Sequence, residues 1–175
     1  MSRAQWLTLI LLLVAVHATA LPPRHVNPEE VAPGRPDPQV LSSAYSLLAD
    51  LFSAESYRNA SQLVNLLLNV SAAPDLAYVL RRFHEMLGEV NDLLNFSRAY
   101  LEQARRLAAA GRIEDSASLL SEAVKVLAKA NLTRADLELA AREVQRRLGA
   151  QPAPLLRAVS ESIARHSSEA ASLGA

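Results

Sequence analysis

The sequence lacks cysteine, is poor in glycine and aromatic residues, and carries a formal net charge of zero. Without cysteine, no disulfide can hold a small exported fold together, so the packing of apolar side chains must stabilise it. The chain has only five glycines, which argues against glycine-rich loops that cradle phosphate groups. A neutral chain also lacks the basic face that binds phosphates, so we expect no nucleic-acid partner.

The first 20 residues have the pattern of a secretory signal peptide. Arg3 precedes an apolar run from Leu7 to Val16, and a small-residue cleavage site, Ala18-Thr19-Ala20, follows. We expect cleavage between Ala20 and Leu21, and a secreted or cell-surface protein. An apolar run of about ten residues is short for a membrane span. Retention as an uncleaved anchor is the alternative, and after cleavage we expect no transmembrane anchor.

Residues 21–39 hold six of the nine prolines in the chain. Repeated prolines disfavour helices and sheets and favour extended chain, which predicts a disordered linker. The sequence then predicts one helical domain over residues 40–171 and a frayed tail over 172–175.

Apolar residues in the domain recur at spacings of three and four, which is typical of amphipathic helices. The longest such segment begins at Pro74 and ends at Gly111, and Gly88 inside it indicates a bend or a close helix crossing. The other predicted helices cover residues 38–54, 56–71, 112–130, 133–148 and 154–171, with a turn at Asn131-Leu132. No alternating pattern indicates a strand. The predicted fold is all-α, a bundle of five or six antiparallel amphipathic helices around one long helix.

The predicted 112–130 helix has an apolar stripe that we expect to face the core: Ile113, Ala117, Leu120, Val124 and Leu127. The next helix has a capping signal, because Thr133 is followed three residues later by Asp136 and is flanked by Leu132 and Leu137.

Residues 100–124 resemble a single helical hairpin of the tetratricopeptide type. The resemblance is carried by Tyr100, Ala104, Leu107, Gly111, Leu120 and Ala123, whereas Ser116 stands where that repeat prefers alanine. Because no second copy follows at a 34-residue offset, the resemblance implies an ordinary helix–turn–helix hairpin and no peptide-binding array.

Four of the seven asparagines begin an N-glycosylation sequon, Asn-X-Ser/Thr: Asn59, Asn69, Asn95 and Asn131. Helical geometry places Asn69 and Asn95 opposite the apolar faces of their predicted helices, and Asn59 nearer the side of its helix. Asn131 falls in the predicted turn. Asparagine is a poor helix former, so these positions bring no evident folding benefit. The pattern predicts a glycoprotein, and the alternative is ordinary polar surface.

No motif for catalysis or metal binding is present. Helical geometry places His84 on the polar face of the long helix, and His166 lies near the expected frayed end. No pair of histidines has the spacing of a zinc site. We therefore expect no catalytic residues, no cofactor and no metal site.

These patterns favour a non-enzymatic protein that acts by protein–protein interaction or self-association, or as a cell-surface structural component. The long apolar stripes support this hypothesis, because such stripes let one helix associate with another. A second, exposed apolar row on a helix would support this hypothesis, and Leu66 and Leu68 are candidates for it. The alternatives are a carrier of lipid or another apolar ligand and a secreted helical-bundle ligand.

Overall fold

The computed structural model describes residues 34–174, and within this range all regular structure is α-helical. Five helices pack together: α1 (Pro38–Ser53), α2 (Tyr57–Leu68), α3 (Pro74–Ala109), α4 (Ile113–Leu148) and α5 (Ala153–Gly174). The predicted signal peptide, its cleavage site at Ala20 and Leu21, and residues 21–33 of the predicted linker lie outside the described residues.

Single residues determine the local backbone at several helix ends. The Asp37 side chain accepts a hydrogen bond from the backbone N–H of Gln39 at 2.8 Å, so it caps α1 ahead of Pro38. Gly111 and Gly149 adopt left-handed backbone angles, Gly111 two residues after the end of α3 and Gly149 directly after α4. The predicted break between α1 and α2 is present in the structure, although no side chain caps α2. There Glu55 has a positive φ of 54° and turns the chain.

The predicted turn at Asn131-Leu132 is wrong, because α4 runs unbroken through both residues. Two 36-residue helices, α3 and α4, therefore replace the one long helix of the prediction. An asparagine inside a helix costs only about 0.7 kcal/mol relative to alanine. Buried Ala130 and Leu137 keep the helix packed on both sides of that position. The Arg134 side chain also donates a hydrogen bond to Oδ1 of Asn131 at 3.1 Å.

The core is apolar and runs the length of the bundle. The most extensive packing is between α3 and α4, while α5 packs against α1, α3 and α4. The largest fully buried side chains include Tyr45, Phe52, Tyr57, Phe83, Leu87, Leu94, Leu101 and Leu137.

The hairpin predicted over residues 100–124 forms, and its packing is closed by the last helix. Leu101, Ala104, Leu120 and Ala123 make one buried cluster with Ala170 of α5. Ser116 is buried there, and its hydroxyl donates to the carbonyl oxygen of Ala104 at 2.9 Å. This bond explains why a serine is accommodated where the hairpin pattern prefers alanine.

Candidate interaction surface and buried histidine network

Two sets of residues stand out from the packed bundle: buried histidines in the core and an exposed apolar row on α4. The sequence-based placement of both histidines is wrong, since His84 and His166 are fully buried rather than exposed or frayed. In α3, His84 lies four residues after Leu80 and three before Leu87, so it belongs to the four-and-three spacing of the buried leucines. That spacing is the signal in the sequence that indicates a buried His84.

His166 lies in a fully hydrogen-bonded network between α2, α3 and α5. Its Nδ1 is 2.6 Å from the Ser97 hydroxyl, and its Nε2 is 3.2 Å from the Tyr57 hydroxyl. Ser97 donates its only hydroxyl proton to the carbonyl oxygen of Leu94 at 2.9 Å. It follows that Nδ1 of a neutral His166 donates to Ser97 and that Nε2 accepts from Tyr57.

This arrangement resembles a nucleophile–base pair in its residue types but not in its proton positions. A base that activates Ser97 would need a bare nitrogen facing the hydroxyl, whereas Nδ1 carries a proton. Burial lowers the pKa of His166, with the nearby carboxylates of Glu55 and Glu169 acting in the opposite direction. Burial also raises the pKa of Tyr57 to about 12. The network therefore favours neutral side chains that join three helices.

His84 is less well satisfied than His166. Its Nε2 lies 3.1 Å from the buried Tyr45 hydroxyl, while Nδ1 has no hydrogen-bond partner among the described residues. Burial lowers the pKa of His84 to about 4. The nearby backbone of Leu67 acts in the opposite direction and offsets only part of this shift, and it forms no hydrogen bond of ordinary geometry with the ring. Asn91 is similar, since it donates to the carbonyl oxygen of Tyr57 at 3.1 Å but leaves its own oxygen unpartnered.

The exposed apolar row runs along the outer side of α4. It contains Ile113, Ala117, Val124, Ala128, Ala135 and Leu139, all of them exposed. Ile113 is 64% exposed, Val124 55% and Leu139 59%, and the adjoining Leu132 is 72% exposed. The expectation that Ile113, Ala117 and Val124 face the core is therefore wrong.

The core-facing side of α4 is occupied by a different set of residues. Its buried members are Ser116, Leu120, Ala123, Leu127, Ala130, Leu137, Ala140, Ala141, Val144 and Leu148. Most of them follow alternating spacings of four and three residues. Position 134 is the one place in this pattern without a fully buried residue, and there the half-buried Arg134 pairs with Glu138. Because the pattern keeps its phase through Asn131, it indicates one continuous helix rather than two.

A groove of about 750 Å³ borders the apolar row, between α4 and α5. On the α4 side it is lined by Val124, Leu127, Ala128, Asn131 and Arg134. On the α5 side it is lined by Ile163 and by small residues: Ser160, Ala164, Ser167, Ala170 and Ala171. Small side chains let another helix approach closely, so the row and the groove together form a broader surface than a single helix offers.

The four sequon asparagines differ in exposure. Asn69, Asn95 and Asn131 are exposed, whereas Asn59 is half-buried and donates to the Ser56 hydroxyl at 2.9 Å. In the Asn95 sequon, the hydroxyl residue is the buried Ser97, whose hydrogen bonding in the core gives it a packing role independent of glycosylation. Asn131 lies beside the apolar row and lines the α4–α5 groove.

The two off-stripe leucines of α2 give a weaker feature, since Leu66 is exposed and Leu68 is half-buried. Among residues 34–174, no group of three or more His, Cys, Asp or Glu side chains is arranged to hold a metal ion. Within the same range, no helix has the length and apolar character needed to cross a membrane.

Comparisons with protein-family models, with curated proteins and with solved structures gave no match to this chain.

Proposed function

We propose that this chain is an exported, non-enzymatic protein that works by associating with another protein through its helices. The observation that carries this proposal is the exposed apolar row on α4. A surface helix normally turns polar residues to water, so a second row of apolar residues favours burial against a partner.

The proposal includes a finer arrangement of the bundle, in which α3 and α4 form an antiparallel hairpin with the row on its outer side. Three contacts support this arrangement. Ala104 meets Ser116, Glu89 pairs with Lys129 at 2.8 Å, and Val79 and Ala140 line one groove. From the first pair to the third, the residue number in α4 rises while the residue number in α3 falls, as expected for two antiparallel helices.

Glycosylation belongs to the same proposal. Asn69 and Asn95 are exposed and lie away from the α4 row, which supports them as glycan sites. Because Ser97 is buried in the folded protein, attachment at Asn95 would have to precede folding. Intact mass of the secreted protein tests this part, since a mass equal to that of the bare mature polypeptide contradicts it.

The interaction is tested by a photoreactive amino acid at Leu132, with Phe96 as the matched control. Both chains also carry Asn95→Gln, so that no glycan beside position 96 blocks its labelling. Both side chains are more than half exposed, but only Leu132 adjoins the row. In the native host we expect a protein adduct of one defined mass from position 132 and none from position 96. No protein adduct from Leu132, or equal labelling from both positions, would contradict the proposal. Flotation with liposomes together with lipid adducts would instead support a carrier.

A further inference from the structure

The spacing of the apolar row on α4 has a two-fold symmetry. Its six members are separated by four, seven, four, seven and four residues. Reversal of the chain direction leaves this pattern unchanged. When two copies of α4 run antiparallel and cross at the level of Val126, Ile113 lies opposite Leu139 and Ala117 lies opposite Ala135. In the same register, Val124 lies opposite Ala128.

We infer that the partner of this surface is a second copy of the chain, and that the two α4 helices pair antiparallel around Val126. This inference rests on the proposed function and names its partner. A symmetric dimer needs a patch that is complementary to itself, which is the property of this row.

The polar residues near the row fit the same register. Ser121 of one copy lies opposite Asn131 of the other, so a hydroxyl and an amide meet where the apolar pattern is interrupted. Glu114 lies opposite residue 138 of the second copy, one helical turn from Arg142. Neither Glu114 nor Arg142 forms an ion pair with another described residue, so both are available for a contact between the copies.

The size of the contact predicts a reversible dimer. From Ile113 to Leu139 the row spans about 39 Å, and a strip one helix diameter wide covers roughly 400 Å² on each copy. The α4–α5 groove borders the row only between Val124 and Arg134, so it adds a smaller area to this strip. The total stays below the ~800 Å² per partner of a standard stable interface, which is the size range of a reversible contact.

The pairing has a consequence for glycosylation. Asn131 lies at the edge of the row and inside the contact, so a glycan on it would hold the two helices apart. We therefore expect Asn131 to be unmodified in the assembled protein, although it begins a sequon. A glycan on Asn131 in the native dimer would overturn the inference.

Sedimentation equilibrium on the mature chain tests the association. We expect a monomer–dimer equilibrium, and Val124→Glu should weaken it at least tenfold because it places charges in the apolar contact. Phe96→Glu is the control, because Phe96 is 56% exposed, close to the 55% of Val124, and lies on α3. It should change the dissociation constant less than twofold, and circular dichroism should show both variants folded. A monomer at every concentration, or equal effects of the two variants, would overturn the inference.

Cross-linking tests the register. The chain has no cysteine, so Ile113→Cys and Leu139→Cys each introduce a single thiol. In the antiparallel pair these two thiols lie opposite each other, while two copies of Ile113→Cys hold theirs about 39 Å apart. A short bis-maleimide should therefore join a mixture of the variants but not Ile113→Cys alone. Efficient joining of Ile113→Cys to itself would overturn the antiparallel register.

The two levels of the proposal fail separately. If the protein stays monomeric but the Leu132 probe captures one defined host protein, self-association is wrong and the interaction function survives. If the protein is monomeric and the probe captures no protein, both are wrong.

Discussion

Replacement of His84 by glutamine should make the fold less sensitive to acid. The buried ring of His84 stays neutral in the folded protein, where its pKa is lowered from 6.5 to about 4. In the unfolded chain, the same ring takes up a proton as the pH falls through 6.5. The unfolded state then binds more protons than the folded state, so acid favours unfolding.

The expected size follows from the pKa shift. The stabilisation is fully present above pH 6.5 and is lost as the pH falls towards 4. At pH 4.5 the loss from this one residue is about 2–3 kcal/mol. His84→Gln removes the titration while keeping a polar group that can reach the Tyr45 hydroxyl.

The assay is urea unfolding of both proteins at pH 7.5 and pH 4.5. All other titratable groups are the same in both proteins, so their effects cancel in the comparison. We expect the wild type to lose about 2–3 kcal/mol more than His84→Gln between the two pH values, with the same dependence on urea concentration. Equal losses in the two proteins would contradict a neutral, buried His84, as would an NMR titration of the His84 ring with a pKa near 6.5.

Three further substitutions test the packing, each by urea unfolding at pH 7.5. Gly88→Ala should stabilise the protein by about 1 kcal/mol, because Gly88 is inside a helix and an added Cβ would meet Val64 at an ordinary contact distance of 3.6 Å. Gly149→Ala should cost about 1–2 kcal/mol, because the backbone there has a φ of 78°; a gain in stability would contradict this. Ser97→Ala should cost about 1–3 kcal/mol by leaving a buried N–H of His166 without a partner, and an unchanged unfolding midpoint would contradict a stabilising Ser97–His166 hydrogen bond.

The sequence predicts helices well where a single residue type determines the local backbone. Asp37, Gly111 and Gly149 each satisfy or relieve the backbone at a helix end, and such effects need no knowledge of the partner helices. The false turn at Asn131 has the opposite origin. Its capping signal is local, and it is outweighed by burial of the α4 residues on both sides.

The candidate site was harder to predict because it depends on which side of a helix finds a partner. Val124 and Leu127 are both apolar and close in sequence, yet only Leu127 is buried. The apolar periodicity of α4 is compatible with burial of either of its two apolar sides. Which side is buried depends on where α3 and α5 lie. The burial of His84 also depends on the neighbouring helices. From the sequence alone, a polar residue in an amphipathic helix is predicted to be exposed.

Self-association through the exposed surface of α4 is tested by a dilution series of the mature protein, followed by backbone amide NMR. As the mature protein is concentrated, we expect amide shifts confined to residues 113–139 of α4 and to the α5 residues that line the adjoining groove. The amides around Phe96 on α3 should not move. Spectra that are independent of concentration, or shifts centred on α2 or α3, would contradict self-association through this helix.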